Sequence, residues 1–112
     1  MWSAKVMEQA PVTIFVFNAH GKPMGHDRAF DEIMWDTVNI QSIGAAIQNM
    51  LLAAQDLGIG TLWICDVFAA YEELCTWLGQ TSQMIAAVSL GYPDEHPQAR
   101  PRKSPGEVTT WL

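Results

Sequence analysis

Two short groups of residues could bind a cofactor: Gly58-Ile59-Gly60 in the middle of the chain, and Arg100 with Arg102 near its end. Glycine has no Cβ, so its backbone can approach a flat ligand closely. Guanidinium groups can bind a phosphate through paired hydrogen bonds. Together the two groups suit a planar, phosphorylated cofactor. A solvated basic tail explains the arginines equally well.

Other site chemistries are disfavoured. Ser, His and Asp residues are present, but none lies in the strand–turn–helix arrangement that activates a nucleophile. The three histidines, His20, His26 and His96, are scattered through predicted loops without ligand spacing, which favours surface histidines over a metal site. Gly58-Ile59-Gly60 follows a predicted helix rather than a strand, which argues against a dinucleotide-binding fingerprint.

The composition indicates one small domain with an apolar and acidic character. Of its 112 residues, 49% are hydrophobic and 16% charged, so we expect some apolar surface to be buried against another chain. The net charge is −6, yet Arg100, Arg102 and Lys103 face only one acidic residue, Glu107, in the last seventeen positions. Nucleic acid and anionic membranes are therefore disfavoured as partners, while residues 96–112 could bind a small anion.

Cysteine content and hydropathy predict a cytoplasmic protein. Cys65 and Cys75 have no metal-ligand spacing and are too few for a disulfide framework. Each lies in an apolar stretch, where a buried, reduced thiol is the commoner outcome. No signal peptide and no apolar run long enough to span a bilayer is evident in the sequence.

Hydrophobic periodicity predicts alternating strands and helices that form one α/β or α+β domain over residues 1–112. Residues 1–10 have weak helical character that stops at Pro11. The predicted elements that follow are a strand covered on both faces at Val12–Phe17, a helix at Val38–Leu57, a strand at Thr61–Val67, a helix at Ala69–Leu78 and a strand at Gln83–Leu90. Residues 18–36 form an excursion from the sheet that carries Phe30, Met34 and Trp35, and long insertions of this kind often line sites.

The predicted helix Val38–Leu57 is apolar around most of its circumference. Its polar residues form one narrow stripe with a seven-residue step, and the remaining positions are mainly Ile, Leu, Met and Ala. Such a helix must be buried on several sides. Because little chain is available to surround it, a subunit interface is favoured over the central helix of an ordinary core. Gly58 is placed to end this helix.

The ordered segments resemble one known family. Ser42–Ala54 and Leu57–Ile64 resemble the central helix, glycine turn and strand of FMN-dependent nitroreductases. Ala87–Glu95, followed by Arg100–Pro105 and Glu107-Val108, is similar to that family's final strand and phosphate-binding tail. Ala10-Pro11-Val12 at the start of an apolar strand also fits. The resemblance covers the chain from about Ala10 onward.

The resemblance implies an α+β fold, a homodimer formed through the long central helix, and FMN sites at the dimer interface. It places Gly58, Ile59 and Gly60 beside the flavin and Arg100 and Arg102 at its phosphate. Residues 18–36 would cap the substrate pocket, and residues 96–112 would be the phosphate-binding tail. The implied reaction is hydride transfer from NAD(P)H through FMN to a nitroaromatic, quinone or similar acceptor, with no catalytic side chain because the cofactor carries the chemistry.

The sequence also departs from the family pattern. Family members carry an Arg- and Ser-rich motif in an N-terminal half that also binds the FMN phosphate, and residues 1–10 contain no such motif. The expectation is therefore a fragment, one part of a split protein or a shortened paralogue. The alternative function is a non-catalytic, dimerising remnant that binds flavin weakly or not at all.

Overall fold

The structure is a computed structural model that describes residues 2–112. Its elements, in chain order, are helix α1 (Trp2–Gln9), strand β1 (Val12–Asn18), helix α2 (Phe30–Asp56), strand β2 (Gly60–Ile64), a 3₁₀ turn (Asp66–Ala70), helix α3 (Tyr71–Leu78), strand β3 (Gln83–Gly91) and the single-turn helix α4 (Pro105–Val108). The predicted α+β class is confirmed, because one small antiparallel sheet is flanked by helices.

Strand β3 is the centre of the sheet, whose strand order is β1-β3-β2. It pairs antiparallel with both neighbours. Val12 of β1 lies opposite Leu90, and Gly60 of β2 lies opposite Gly91. Ala86, Ala87 and Val88 in β3 are fully inaccessible to solvent. The predicted strand Gln83–Leu90 is confirmed as β3, and burial on both faces agrees with its mainly apolar sequence.

Helices cover both faces of this sheet. On one face, Ile47 of α2 packs with Ala86, Val88 and the ring of Trp63. On the other face, residues from the 3₁₀ turn, α1 and α3 surround Met84 and Ala87. Side chains alternate between these two apolar layers along β2 and along β3 from Ala86 onward, whereas the bulge opposite Val16 and Phe17 places Ile85 and Ala86 in the same layer.

The long helix begins eight residues earlier than predicted, at Phe30 instead of Val38. Phe30, Met34 and Trp35 thus lie on α2. The non-helical part of residues 18–36 ends at Ala29. The physical reason is that no Gly or Pro interrupts the chain between Phe30 and Val38. The first turn is also stabilised, because the Ala29 N–H donates to the Glu32 carboxylate at 2.9 Å.

Three further predictions were wrong in part. The second strand ends at Ile64, and Val67 and Ala69 belong to the 3₁₀ turn, so α3 begins only at Tyr71. Strand β1 is an edge strand whose residues Val12 and Ile14 are 50% and 38% exposed. An apolar run predicts a buried strand, but it does not show that the same chain covers both of its faces.

A glycine follows both α2 and α3, as predicted for Gly58. Gly58 has φ +71°, its N–H donates to the Gln55 carbonyl at 3.1 Å, and the Ile59 N–H donates to the Ala54 carbonyl at 2.8 Å. Gly79 closes α3 in the same way at φ +64°. These paired bonds satisfy the last carbonyls of each helix, and the left-handed conformation favours glycine.

The loop after β1 is attached to the sheet by buried polar contacts. The Asn18 amide donates to the Gln83 side-chain oxygen at 3.0 Å, and the Gln83 N–H donates to the Gly21 carbonyl at 3.2 Å. A Cβ on Gly21 would overlap both of those side chains. The Tyr71 hydroxyl accepts two more bonds, from the N–H of Met24 at 3.3 Å and of Met84 at 3.1 Å.

Replacement of Tyr71 by phenylalanine is expected to destabilise the fold by about 1–3 kcal/mol, the usual cost of a buried N–H that loses its partner. Met84 is 1% exposed, so water cannot replace the hydroxyl there. Urea unfolding followed by circular dichroism measures the difference. Tyr92→Phe is the matched control, because Tyr92 is fully exposed, and it is expected to leave stability unchanged. Equal midpoints for the two variants would contradict the assigned role of the Tyr71 hydroxyl.

Much apolar surface remains uncovered in a single copy of the chain. The radius of gyration is 16.5 Å, against about 13 Å for a compact domain of this length. The tail beyond Gly91 is exposed throughout, including Trp111 and Leu112. On α2, the side turned away from the sheet exposes Met34, Val38 and Leu52. Exposure on this scale in an apolar domain is typical of a surface that contacts another chain.

Candidate functional site

The turn Gly58-Ile59-Gly60 joins α2 to β2 at one end of the sheet. Gly58 is exposed, and a Cβ built on it would meet no atom within 4 Å, so the space in front of this residue is open. Ile59 is half-buried, and its N–H is already used to close α2. The turn can therefore be approached from solvent at Gly58, while Ile59 mainly serves the helix end.

Gly60 has a different environment from Gly58. It lies opposite Gly91 in the sheet, and a Cβ on it would come within 3.3 Å of Pro93. The missing side chain at Gly60 thus accommodates the chain's own Pro93 on that side. Sequence reasoning missed this contact, although the Gly91-Tyr92-Pro93 break at the end of a strand is a visible signal of a sharp change in direction.

Arg100 and Arg102 lie in the exposed segment between β3 and α4. Within residues 2–112, neither guanidinium forms an ion pair. Glu107, the acidic residue within the last seventeen positions, is engaged elsewhere: its carboxylate accepts from the Ser104 hydroxyl at 2.7 Å and from the Ser104 N–H at 2.8 Å. These bonds from Ser104 lower the pKa of Glu107 below its ordinary value. Both arginines are thus free to bind an anion.

The structure brings only part of the predicted site together. Gly58, Ile59 and Gly60 are contiguous, and Pro93 carries the chain past Gly60 towards the tail. No hydrogen bond in the described part of the chain links Arg100 or Arg102 to the glycine turn. A single copy therefore presents an open turn and two exposed cations, without walls that would enclose a ligand between them.

One cluster was missed entirely at the level of the sequence. Arg28 donates through Nε to Asp36 at 2.8 Å and through its terminal nitrogens to the carbonyl oxygens of His26 and Pro23, both at 3.0 Å, and of Lys22. It thereby fixes the loop of residues 19–29 against α2. A shallow groove of about 440 Å³ lies beside it, lined by His20, Lys22, Glu32, Trp35, Asp36 and Asn39. The sequence signal for this cluster is Arg28 itself, which follows a loop containing Gly and Pro and precedes Asp36 by eight residues.

Residues 2–112 show neither a metal-binding cluster nor a membrane-spanning helix. The described residues contain no group of three or more His, Cys, Asp or Glu side chains placed to bind a metal ion. None of the described helices combines the length and the hydropathy that crossing a membrane requires.

Both cysteines are free thiols, and Cys65 is exposed, so the predicted burial was wrong at that position. Cys65 lies between the end of β2 and the start of the 3₁₀ turn.

Comparison with protein families gives a match to the nitroreductase family over residues 1–92. The match includes the whole sheet, α2 and the glycine turn. The chain belongs to the nitroreductase family. The resemblance noted in the sequence is thereby confirmed, and the three-stranded sheet with its flanking helices is a partial nitroreductase-like fold.

This nitroreductase-family chain is also similar to a curated protein from Vibrio harveyi that is described as an NADPH-flavin oxidoreductase. The two are 33% identical over 61 residues, which is 53% of this chain and 25% of the relative. The chain therefore matches about a quarter of the relative's length.

Proposed function

We propose that this chain forms part of an FMN-dependent oxidoreductase that takes hydride from NAD(P)H and reduces a nitroaromatic, quinone or similar acceptor. The observation that carries the proposal is the family match over residues 1–92. The similarity to an NADPH-flavin oxidoreductase supports both the flavin and the nicotinamide co-substrate. The flavin, when bound, supplies the hydride-transfer chemistry, and the protein supplies binding and orientation.

The residues of this chain fit such a cofactor in type. Open space in front of Gly58 allows a flat ring to approach the backbone. Arg100 and Arg102 offer guanidiniums without an acidic partner among the described residues, as a phosphate requires. Gly60 fits less well, because Pro93 occupies the space beside it. In the proposed site, Gly58 and Ile59 lie along the ring, and Arg102, together with Arg100, binds the phosphate.

We propose further that two copies associate through α2. The side of α2 that faces away from the sheet carries Met34, Val38, Ala45 and Leu52, all of them exposed. Val38, Ala45 and Leu52 recur at seven-residue steps, so they form one stripe along the helix. Exposed glutamines at positions 41 and 48 lie beside this stripe and could pair across a two-fold axis. A second copy would supply the missing wall of the flavin site.

Residues 18–36 contribute to the acceptor side in this proposal. They extend from the end of β1 through the first two turns of α2, and they expose the side chains of Phe30, Met34 and Trp35. Large apolar side chains on an ordered segment are suited to cover a planar acceptor.

A second candidate function is a dimerising module that binds flavin weakly or not at all. Two observations favour it: Pro93 fills the space beside Gly60, and no hydrogen bond or ion pair among the described residues fixes Arg100 and Arg102 near the turn. Unfixed arginines would lose side-chain freedom when they bind a phosphate, which lowers affinity.

Titration of the purified chain with FMN, followed by flavin fluorescence and by the visible absorption spectrum, separates the two functions. The oxidoreductase proposal expects a yellow protein, a dissociation constant below about 1 μM, which corresponds to roughly 8 kcal/mol of binding free energy, and FMN-dependent oxidation of NAD(P)H. A colourless chain that stays inactive with added FMN would support the dimerising module instead.

A further inference from the structure

We infer that the free edge of strand β1 is a docking site for one extended strand of a different polypeptide chain. In the three-stranded sheet β1 is an outer strand, and β3 is its neighbour. Among the described residues, Val12–Phe17 form no backbone hydrogen bonds other than those with β3. The peptide groups along the outer side of β1 are therefore open to another strand.

Strand β1 lacks the features that commonly protect a sheet edge. Protected edges carry a charged side chain, a proline or a bulge. Residues 12–16 contain no charged residue, no glycine and no proline, and their register opposite β3 is regular. The one irregularity lies between Val16 and Phe17, towards the end of the strand. The regular part spans about 17 Å, which is the usual length of a paired strand.

Apolar side chains are exposed on both faces of the sheet beside this edge. On the α2 face, Val12 and Ile14 are exposed, and they share that face with Val16 because alternate residues of a regular strand point the same way. On the opposite face, Phe15 packs edge-on against Trp77 with the ring centroids 6.2 Å apart. Trp77 is 74% exposed. An added strand would therefore bury apolar surface on both of its faces.

This arrangement defines the chemistry of the occupant. In strand addition, main-chain hydrogen bonds supply affinity, and alternate side chains contact the two faces. The occupant is therefore an extended segment of about five residues whose β-branched side chains face both apolar surfaces. Residues 1–95 carry eleven acidic side chains but only Lys5, Lys22 and Arg28 as basic ones. Basic residues at the ends of the segment would add electrostatic complementarity.

A second copy of this chain is disfavoured as the occupant. Pairing of β1 with β1 of another copy would join two acidic bodies, which repel each other. The proposed contact between copies uses α2, and a second self-contact elsewhere would link dimers into larger or open assemblies. The inference rests on the proposed dimer for this step alone.

The length of the curated relative supports a different chain as the source of the strand. The 61 matched residues are 25% of that relative, so it is more than twice as long as the 112 residues of this chain. A protein of this family can thus contain polypeptide for which 112 residues leave no room. A separate chain that supplies such polypeptide would also supply the strand that covers β1.

Binding of a designed peptide to the full-length, flavin-free chain tests the inference. The nine-residue probe alternates threonine and valine between two terminal lysines, and its ends are acetylated and amidated. It is titrated into ¹⁵N-labelled protein, and chemical shifts and hydrogen exchange are followed at the amides of residues 12–16. We expect saturable shifts there and, for the outward-pointing amides, exchange slowed about tenfold or more.

A control peptide with the same side chains carries N-methyl groups on every threonine and valine, which blocks ladder pairing along both of its edges. It is expected to bind about tenfold more weakly or worse, because the main-chain hydrogen bonds are lost. A peptide with glutamate in place of both lysines should bind about threefold more weakly than the probe. Equal binding of the N-methylated control, or no shifts at residues 12–16 with about 1 mM probe, would overturn the site.

Substitutions in the protein complete the test. Ile14→Lys places a charge beside the edge, as natural sheets do to prevent strand addition, and should weaken probe binding about tenfold or more. Val108→Lys is the matched control, since it changes an exposed apolar residue of α4, and should bind the probe as the parent does. If Ile14→Lys fails to fold, the comparison of the peptides on the parent chain still decides.

Sedimentation equilibrium of Ile14→Lys distinguishes a different chain from a second copy. We expect its association to equal that of the parent. Dissociation of a parent dimer by this substitution would show that a second copy occupies β1, and would overturn the assignment to a different chain. A chain that binds the probe at β1 but binds no FMN would refute the flavin proposal and leave this inference standing.

Discussion

Replacement of Leu52 by glutamate is expected to convert the proposed dimer into a folded monomer. Leu52 is 59% exposed in a single copy and lies on the α2 stripe that faces away from the sheet. In a dimer formed through this stripe, the new carboxylate would be buried without a partner. An uncompensated buried charge costs about 3 kcal/mol or more, so the dimer dissociation constant should rise by roughly a hundredfold or more.

Sedimentation equilibrium of parent and variant at several concentrations measures this change, and circular dichroism shows whether the monomer keeps its helices. Thr76→Glu is the control, because it places the same charge at an exposed position on α3. We expect the control to remain dimeric. A monomeric parent, or a Leu52→Glu variant that associates as tightly as the control, would exclude α2 as the interface.

Replacement of Arg102 by alanine is expected to lower FMN affinity by about 10- to 150-fold, the effect of losing a charge-assisted hydrogen-bonded contact worth about 1.5–3 kcal/mol. The same change should alter the free energy of unfolding by less than about 0.5 kcal/mol when no flavin is present. The reason is that Arg102 is exposed and forms no ion pair among the described residues. The loss would therefore appear in binding and not in the fold.

Lys103→Ala provides the matched control for this experiment. It removes one positive charge from the adjacent position, so it reproduces any general electrostatic effect of the tail on an anion. We expect it to weaken FMN binding only slightly. If Arg102→Ala and Lys103→Ala change the FMN dissociation constant equally, the tail acts through its net charge and the specific phosphate contact is wrong. Unchanged affinity in both variants would remove the tail from the site.

The sequence predicted the order of the elements and the positions where glycine ends a helix. These features depend on local chemistry: a continuous apolar run between breakers identifies β3, and the left-handed conformation at Gly58 favours a residue without a Cβ. The start of α2 was misplaced because its first turns carry Glu32 and Asp36, which pair with the loop, whereas Ile43 and Ile47 pack on the sheet. Backbone helicity continued through that change, since nothing in the sequence interrupts it.

The site was less predictable because its contacts join distant parts of the chain. Periodicity does not reveal that Pro93 lies against Gly60, or that Arg28 bonds to three carbonyls of its own loop. The exposed side of β1 could not be anticipated either. An apolar residue such as Val12 has the same sequence signature whether the surface covering it belongs to the same chain or to another.

The position of β3 at the centre of the sheet has a consequence for folding during synthesis. Both outer strands, β1 and β2, bond to β3 and not to each other, and β3 is the last of the three to be made. The sheet therefore cannot close until the ribosome has released the chain past Gly91. Until then α2 has no complete sheet to pack against, and its apolar side chains stay exposed to solvent. Such nascent chains are prone to aggregate, so we expect the yield of soluble protein to depend on chaperones and on translation speed.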